Sequence, residues 1–416
     1  VLRDLLPELV DRALGADDHA RVTRQRLTCE DAAIEARRPD IRAEVTESLE
    51  SAVLGYGEKA SEPAPSKILQ EDALDRILGA EGQNLTWRRR TQLRHLPILP
   101  KSQWRTTLAN AMSETVFLVN PASAGGSTAK RWPEIAHEAA NAGLIGDALF
   151  SEHNGHLGEL ARDAVRAGAR RLVLVGGDGS LNEIVNGLGK QLSKVELALI
   201  PRGTGSDFVR EHAIPHSVGE AVRVALEGDL RPLDLGKATF HAWDGKQAQQ
   251  YFANAAGAGI SGAIARRVNN GTKGLGARGS YAWAVLAVFP RWRNCNVRLR
   301  VDSEEREGKM HEVIAAIGRY QGGGMKLCPD AVPDDGLFDV LILGDLSKAD
   351  LARNLHKTYR GTHLSHPKVE ILRGKLVSIE AEEPLPVQLD GEQPGTTPVE
   401  FELIPGALRL RVPARD

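Results

Sequence analysis

Gly176-Gly177-Asp178-Gly179-Ser180 lies between an apolar run and a periodic one in the segment LVLVGGDGSLNEIVNGL, residues 172–188. Glycines let a ligand approach the backbone closely, and a helix start offers unpaired N–H groups and the positive end of a dipole, which together suit a phosphate. Ser180 precedes Glu183 by the capping-box interval, and Leu181, Ile184, Val185 and Leu188 follow at the spacing of one buried helix face. A helix is therefore predicted to begin at the loop. Asp178 is the odd member, because a carboxylate repels phosphate unless it holds a divalent cation, a water or a sugar hydroxyl. That tension makes the loop a candidate nucleotide-kinase turn. Read alone, the same residues also fit a tight strand-to-helix turn in which Asp178 bonds its own backbone.

Other residues carry chemistry of the same kind. Asn120-Pro-Ala-Ser-Ala-Gly-Gly-Ser127 and Pro201-Arg-Gly-Thr-Gly-Ser-Asp207 are further glycine-marked loops. Asp330, Asp334 and Asp335 crowd one turn, which reads as an oxygen-rich magnesium or calcium site or as a solvated acidic turn. Asp390-Gly391-Glu392 sets two carboxylates about a glycine, and by itself is a hairpin turn. His153 and His156 suggest a metal pair but lack an evident third ligand, which favours a helix-start surface feature.

Elements must hold these loops in place. From Thr115 the pattern alternates strand and helix: Val116 to Val119, a helix near Trp132 to Ala142, an extended piece near Asp147 to Phe150, a helix through Leu157 to Val165, the Leu172 strand, the Ser180 helix and a strand at Val195 to Ile200. Such alternation predicts a parallel sheet, whose carboxyl edge would gather the three glycine loops. Those loops contain neither GxxxxGK[ST] nor GxGxxG, so neither a P-loop ATPase nor a dinucleotide-binding dehydrogenase is supported. Ser217 and Glu220 form a second capping-box pair. Beyond Arg231 short β-branched segments such as Asn296 to Val301, Phe338 to Leu343 and Lys375 to Ala381 predict a mainly β second domain, with a cleft between the two. Three parts are expected: residues 1–112 as a helical or partly disordered extension, 113–235 as a three-layer α/β domain, and 236–416 as a β-rich, sandwich-like domain.

Composition narrows the class. The 416 residues carry 53 Lys plus Arg against 55 Asp plus Glu, a net charge of −2 that gives no reason to expect a nucleic-acid partner. Cys29, Cys295 and Cys328 are far apart, which disfavours both a disulfide framework and a thiolate metal site and suits a reducing cytosol. The longest apolar run, Tyr281 to Pro290, is about half of the roughly 20 residues that a spanning helix needs. The expected location is cytoplasmic, or peripheral at the inner face of the membrane. Residues Asn84 to Ser113, with Arg88, Arg89, Arg90, Arg94, Lys101, Arg105, Trp87 and Trp104, read either as an anionic-lipid contact or as a solvated basic connector. Tyr281, Trp283, Val285, Leu286, Val288 and Phe289, followed by Arg291-Trp292-Arg293 and preceded by Arg266, Arg267, Lys273 and Arg278, read either as a lipid-entry wall or as a buried core helix with a basic end.

Taken in order, GGDGSLNE, GTGSD after Pro-Arg, the opening Asn-Pro loop, PDDG and a late DGE resemble the diacylglycerol-kinase-like lipid kinases, in particular their soluble bacterial branch, over about Thr115 to Pro413. The resemblance implies transfer of the γ-phosphoryl group of ATP to a lipid hydroxyl, diacylglycerol first and a sphingoid base or ceramide next. It places nucleotide contacts at Asn120, Pro121, Ser123, Ser151, Gly176, Gly177, Asp178, Gly179, Ser180, Asn182, Gly203, Thr204 and Gly205. It assigns a magnesium and water network to Asp178, Asp207 and Asp234, a structural magnesium to Asp335 with the main-chain oxygens of Val332 and Leu337, and the proton acceptor to Glu392 with Asp390 beside it. Its implied partners are ATP, Mg2+ and a lipid acceptor presented by a membrane surface, with peripheral membrane contact and a homodimer left open. Ser206 and Ile317 depart from the pattern. NAD kinase shares the glycine loop without explaining PDDG and DGE together, and a non-catalytic nucleotide- or lipid-binding regulator would not need all the carboxylates kept here.

Overall fold

The computed structural model describes residues 113–203, 207–269 and 283–414. The expected extension, the basic stretch before Ser113, Thr204, Gly205, Ser206, Lys273, Arg278 and Tyr281 lie outside the described residues.

Four strands build the first part: β1 (Thr115–Val119), β2 (Asp147–Phe150), β3 (Arg171–Gly176) and β4 (Glu196–Pro201), parallel and in the order β2-β1-β3-β4. They read as nearly unbroken apolar runs because both faces are covered, as parallel sheets require. Val116, Leu118, Leu172 and Leu174 point into one buried cluster shared with α2 (His156–Arg166) and α3 (Asp178–Leu188). Phe117, Val119, Val173 and Val175 point the other way, against α1 (Ser127–Asn141) and, beyond the five-residue α4 (Asp207–Glu211), α5 (Val218–Glu227). This is the three-layer α/β arrangement that the alternation predicts.

The remainder is β-rich. One layer runs β14 (Val369–Gly374), β13 (Phe338–Leu343), β10 (Glu312–Ala316), β7 (Ala255–Gly259) and β16 (Pro386–Leu389). The other runs β6 (Gln247–Phe252), β5 (Asp229–Ala242), β17 (Glu392–Val412), β15 (Leu376–Ala381), β8 (Cys295–Val301) and β9 (Glu304–Met310). Phe240, Phe252, Phe338 and Phe401 fill the space between them, with Phe252 stacked on Phe338 and edge-on to Phe401, both at 5.7 Å. A two-stranded ribbon, β11 (Tyr320–Gln321) with β12 (Met325–Lys326), and the helices α6 (Ile260–Asn269) and α7 (Lys348–Arg360) stand outside the layers. The 21-residue β17 joins the two parts, pairing with β5 along its length and meeting β4 in parallel at Leu410 and Leu197.

Two local expectations differ from the structure. α3 starts at Asp178 with Gly177 as its N-cap, so Ser180 is already inside the helix and the Ser180–Glu183 capping box does not form. Both side chains have tertiary partners instead: Ser180 Oγ accepts from Asn120 Nδ2 at 2.8 Å, and Glu183 accepts from the Leu157 N–H at 3.1 Å. Ser217 does precede α5, but without a side-chain cap bond. The complete capping box is in α7, where Ser347 and Asp350 exchange bonds with each other's backbone.

Candidate active site

The three glycine loops and Ser151 do share the carboxyl edge of the parallel sheet, because each follows a strand running the same way. Backbone bonds lock them together: Asn120 N–H to Val175 O at 3.0 Å, Ser151 N–H to Val119 O at 3.0 Å, and Arg202 N–H to Gly176 O at 2.7 Å. In the first loop Ser123 Oγ donates to Asn120 O at 2.8 Å and Pro121 O accepts from the Ala129 N–H, turning the chain into α1. Gly177 and Gly203 meet backbone to backbone. A Cβ on Gly203 would stand 2.8 Å from Gly177 Cα, so the contact admits no side chain.

Asp178 faces the start of α4, where its carboxylate accepts from the Asp207 N–H at 3.3 Å. Asp207 is held from two sides, by Arg210 at 2.9 Å and by the Gly323 N–H of the glycine turn after β11 at 2.8 Å. Burial nevertheless pushes the Asp207 carboxyl above the usual carboxylate range. Glu211 fixes α4 to the same turn through Arg319, whose N–H and guanidinium it accepts at 2.6 and 3.0 Å. Thus the two aspartates expected to organise a cation sit side by side and line one cleft; carboxylate oxygens suit a hard divalent ion, which would compete here with the Arg210 guanidinium.

Asp390 lies across that cleft. It heads the hairpin between β16 and β17 with φ +48°, and its carboxylate accepts the N–H groups of Ala253, Asn254 and Ala255 at 2.7–3.0 Å. Burial raises its pKa, against those three amides and the neighbouring Asn182 of α3, which act to lower it. Asp390 is therefore a brace that fixes the entry to β7. Glu392, two residues on, is exposed where β17 begins. Asp178, Asp207, Asn254, Gln321, Asp390 and Gly391 line a single cavity of about 230 Å³, so the glycine turn and the DGE hairpin do converge. Glu392 is not among its lining residues and stands beside Gly391 at the edge.

Asp234 goes elsewhere. Its two oxygens accept from Gly336 and Gly406 at 2.7 and 2.9 Å, so it clamps the Asp334-Asp335 turn. In that turn Asp335 accepts from the Leu337 N–H at 3.1 Å and is ion-paired with Arg373, which also reaches Asp339 at 3.5 Å. A cation held there by Asp335 and the oxygens of Val332 and Leu337 would compete with this guanidinium. His153 and His156 stack at 4.6 Å, and Glu159 completes a three-residue group. However, His156 Nδ1 accepts from the Glu152 N–H at 3.0 Å, which leaves the neutral ring's proton on the other nitrogen and no lone pair there for a metal.

A second cavity, of about 620 Å³, adjoins the first and shares Ser261, Gln321 and Gly322 with it. Its walls are overwhelmingly apolar and include Ile264, Val285, Phe289, Leu327 and Leu355. Of the described residues 283–289 only Ala284 is buried, so the segment is not a buried core helix. Where the two cavities meet, Glu312 is fully buried, accepts from Ser261 N–H and Oγ at 2.7 and 2.6 Å, and has its pKa pushed up to about 7 by burial.

Sequence reasoning missed several residues that the fold brings to the site. Arg202 ties the third loop to the first by donating to Ser127 Oγ at 3.1 Å, and its buried Nε has no partner among the described residues. Asn186 ties α3 to β6 by a reciprocal pair of bonds with the Tyr251 backbone at 2.8 and 3.0 Å. Arg202 stands in the Pro-Arg pair of the third loop, whereas Asn186 has no local signal. α7 had one, in Ser347, Asp350 and the glycine at 361 with positive φ.

Comparison with known proteins agrees with this arrangement. Residues 114–238 match the diacylglycerol kinase catalytic domain, and 254–412 match the YegS C-terminal NAD kinase beta sandwich-like domain. Diacylglycerol kinases of Staphylococcus carnosus (strain TM300) and Staphylococcus aureus (strain MRSA252) are each 28% identical over 285 residues, which cover 68% of this chain and 90% and 88% of theirs. A crystal structure of a diacylglycerol kinase from Bacillus anthracis str. Sterne superposes with a TM-score of 0.57 at 25% identity, over 73% of this chain and 98% of that one. Because the two matched domains follow each other as the α/β part and the sandwich do, and meet at the cleft just described, this chain is a kinase of the diacylglycerol-kinase-like family.

Proposed function

We propose that the chain transfers the γ-phosphoryl group of ATP to the hydroxyl of a membrane lipid, with diacylglycerol as the leading acceptor and phosphatidic acid as its product. One observation carries the reading: the cleft lined by the carboxylates Asp178, Asp207 and Asp390 adjoins an apolar cavity large enough for acyl chain, with Ser261, Gln321 and Gly322 lining both. A hydroxyl at that junction would face the phosphate loops while its hydrocarbon stays out of water.

In this reading Asn120, Pro121, Ser123, Ser151, Gly176, Gly177, Gly179, Ser180, Asn182 and Gly203, with Thr204 and Gly205, bind the nucleotide. Mg2+ held by Asp178 and Asp207 would neutralise phosphate charge. Asp234 supports the acidic turn, and Asp335 with the oxygens of Val332 and Leu337 remains the proposed structural cation position. As the acceptor oxygen bonds to the γ-phosphorus and the bridging bond to ADP breaks, the hydroxyl proton passes to Glu392, while Asp390 holds the hairpin that presents it. Phosphoryl transfer needs mainly alignment and charge neutralisation, so no covalent intermediate is invoked.

Sphingoid bases and ceramide suit the same apolar cavity. Incubating the protein with labelled ATP, magnesium and separate samples of diacylglycerol, monoacylglycerol, sphingosine, ceramide and NAD distinguishes them. Label in diacylglycerol is the expected result; label in NAD alone, or in no acceptor, would refute the lipid-kinase reading.

A further inference from the structure

α7 is a 13-residue helix with no buried residue, although its apolar side chains face the wall of a cavity. Leu355 and Tyr359 line that cavity and are still 54% and 53% exposed. Leu286 does the same from the 283–289 segment at 68%, and its neighbour Trp283 is 57% exposed. Large apolar side chains that both line a cavity and face solvent form an open rim. The rim is one connected feature, because Lys348 Nζ at the start of α7 donates to Pro290 O at the end of the other segment.

Charge indicates what covers this rim. α7 carries Lys348, Arg353, Lys357 and Arg360 against a single carboxylate, Asp350. Among the described residues Lys357 and Arg360 have no acidic partner, and Arg291 and Arg293 are exposed beside the opposite rim. A protein partner would be expected to bring carboxylates to such cations and to close the cavity mouth. An anionic bilayer brings phosphates at one level and hydrocarbon just below it, which matches cations flanking an apolar rim.

We propose that α7 docks the protein onto the surface of an anionic bilayer, with Leu355 and Tyr359 at the level of the acyl chains and Lys357 and Arg360 among the headgroups, so that the apolar cavity opens directly into the membrane. This rests on the lipid-acceptor reading for its purpose, but its test does not. The full chain should cosediment with vesicles of phosphatidylcholine mixed with phosphatidylglycerol and far less with pure phosphatidylcholine, and high salt should reverse the binding. The double variant Lys357→Gln/Arg360→Gln should bind the anionic vesicles roughly 30-fold more weakly, since each basic residue near such a surface contributes on the order of 1 kcal/mol. Neither side chain lines the cavity. Turnover of a short-chain, water-dispersed diacylglycerol should therefore stay at the wild-type level in the double variant, while turnover of vesicle-embedded diacylglycerol falls with binding. Leu355→Ser should weaken vesicle binding with an unchanged far-UV spectrum. Anionic-vesicle binding that is absent in the wild type, or equal in wild type and variants, would overturn the proposal. If no lipid accepts label, the lipid-kinase reading fails by itself, and the vesicle assay still reports on α7.

Discussion

Glu392 and Asp390 are two residues apart and stand in opposite environments. The first is exposed at the edge of the cleft, and the second is half-buried under three backbone amides. Asp390 is spent on bracing the hairpin, and the exposed Glu392 beside it is the proposed proton acceptor. Glu392→Gln keeps the shape and removes the base, so turnover should fall by about 10²–10⁴-fold with nucleotide affinity unchanged, as read by steady-state kinetics beside nucleotide-binding calorimetry. Glu312 allows a pH test. Burial raises its pKa from 4.5 to about 7, so folding favours the protonated carboxyl. Its stabilising contribution is then complete below pH 4.5 and is lost as pH rises to about 7. Glu312→Gln should flatten stability over that window, and denaturant unfolding at a series of pH values would register the change. The importance of Glu312 was not legible in the sequence, where it is one glutamate in a strand. Its burial comes from the helix and strand packed over it.

At the scale of elements, the loops were readable because strand-turn-helix signals are local. The apolar runs of β1, β3 and β4 and the glycines after them mark both the sheet and its functional edge. The exact start of α3 was not readable. Ser180 has the spacing of a cap, but its hydroxyl is taken by Asn120, sixty positions away, and the helix is capped at Gly177, three residues earlier. Packing thereby overrides a weak local preference. The closeness of the Gly177 and Gly203 loops is likewise tertiary. Gly203→Ala would drive a Cβ to 2.8 Å from the opposing backbone, where no flexible side chain can yield. Splaying the loops should cost about 1–3 kcal/mol in unfolding free energy and weaken nucleotide binding more than acceptor binding, measurable by thermal shift with and without ATP.

The whole molecule depends on long strands that cross between its parts. β5 passes residues 235 and 236 without a break, and β17 runs from the DGE hairpin to its meeting with β4, so the cleft is set by continuous backbone rather than by a flexible linker. The sandwich core that supports this is centred on Phe252, fully buried against Phe338 and Phe401. Phe252→Ala should cost about 3–5 kcal/mol in denaturant unfolding, and it should impair nucleotide binding as well, because β6 is bonded to α3 through Tyr251 and Asn186. By itself the sequence determined the α/β alternation, the β texture beyond it, the phosphate-facing loops and the acidic pairs, since each of these is written in residues within a few positions of one another. Tertiary structure alone decided that Asp207 meets Asp178, that Asp234 clamps the acidic turn, that Asp390 braces while Glu392 stands at the edge, and that an apolar cavity lies beside the carboxylate-lined one. Those outcomes depend on which distant amides, guanidinium groups and side chains arrive together, and no periodicity along the chain encodes such meetings.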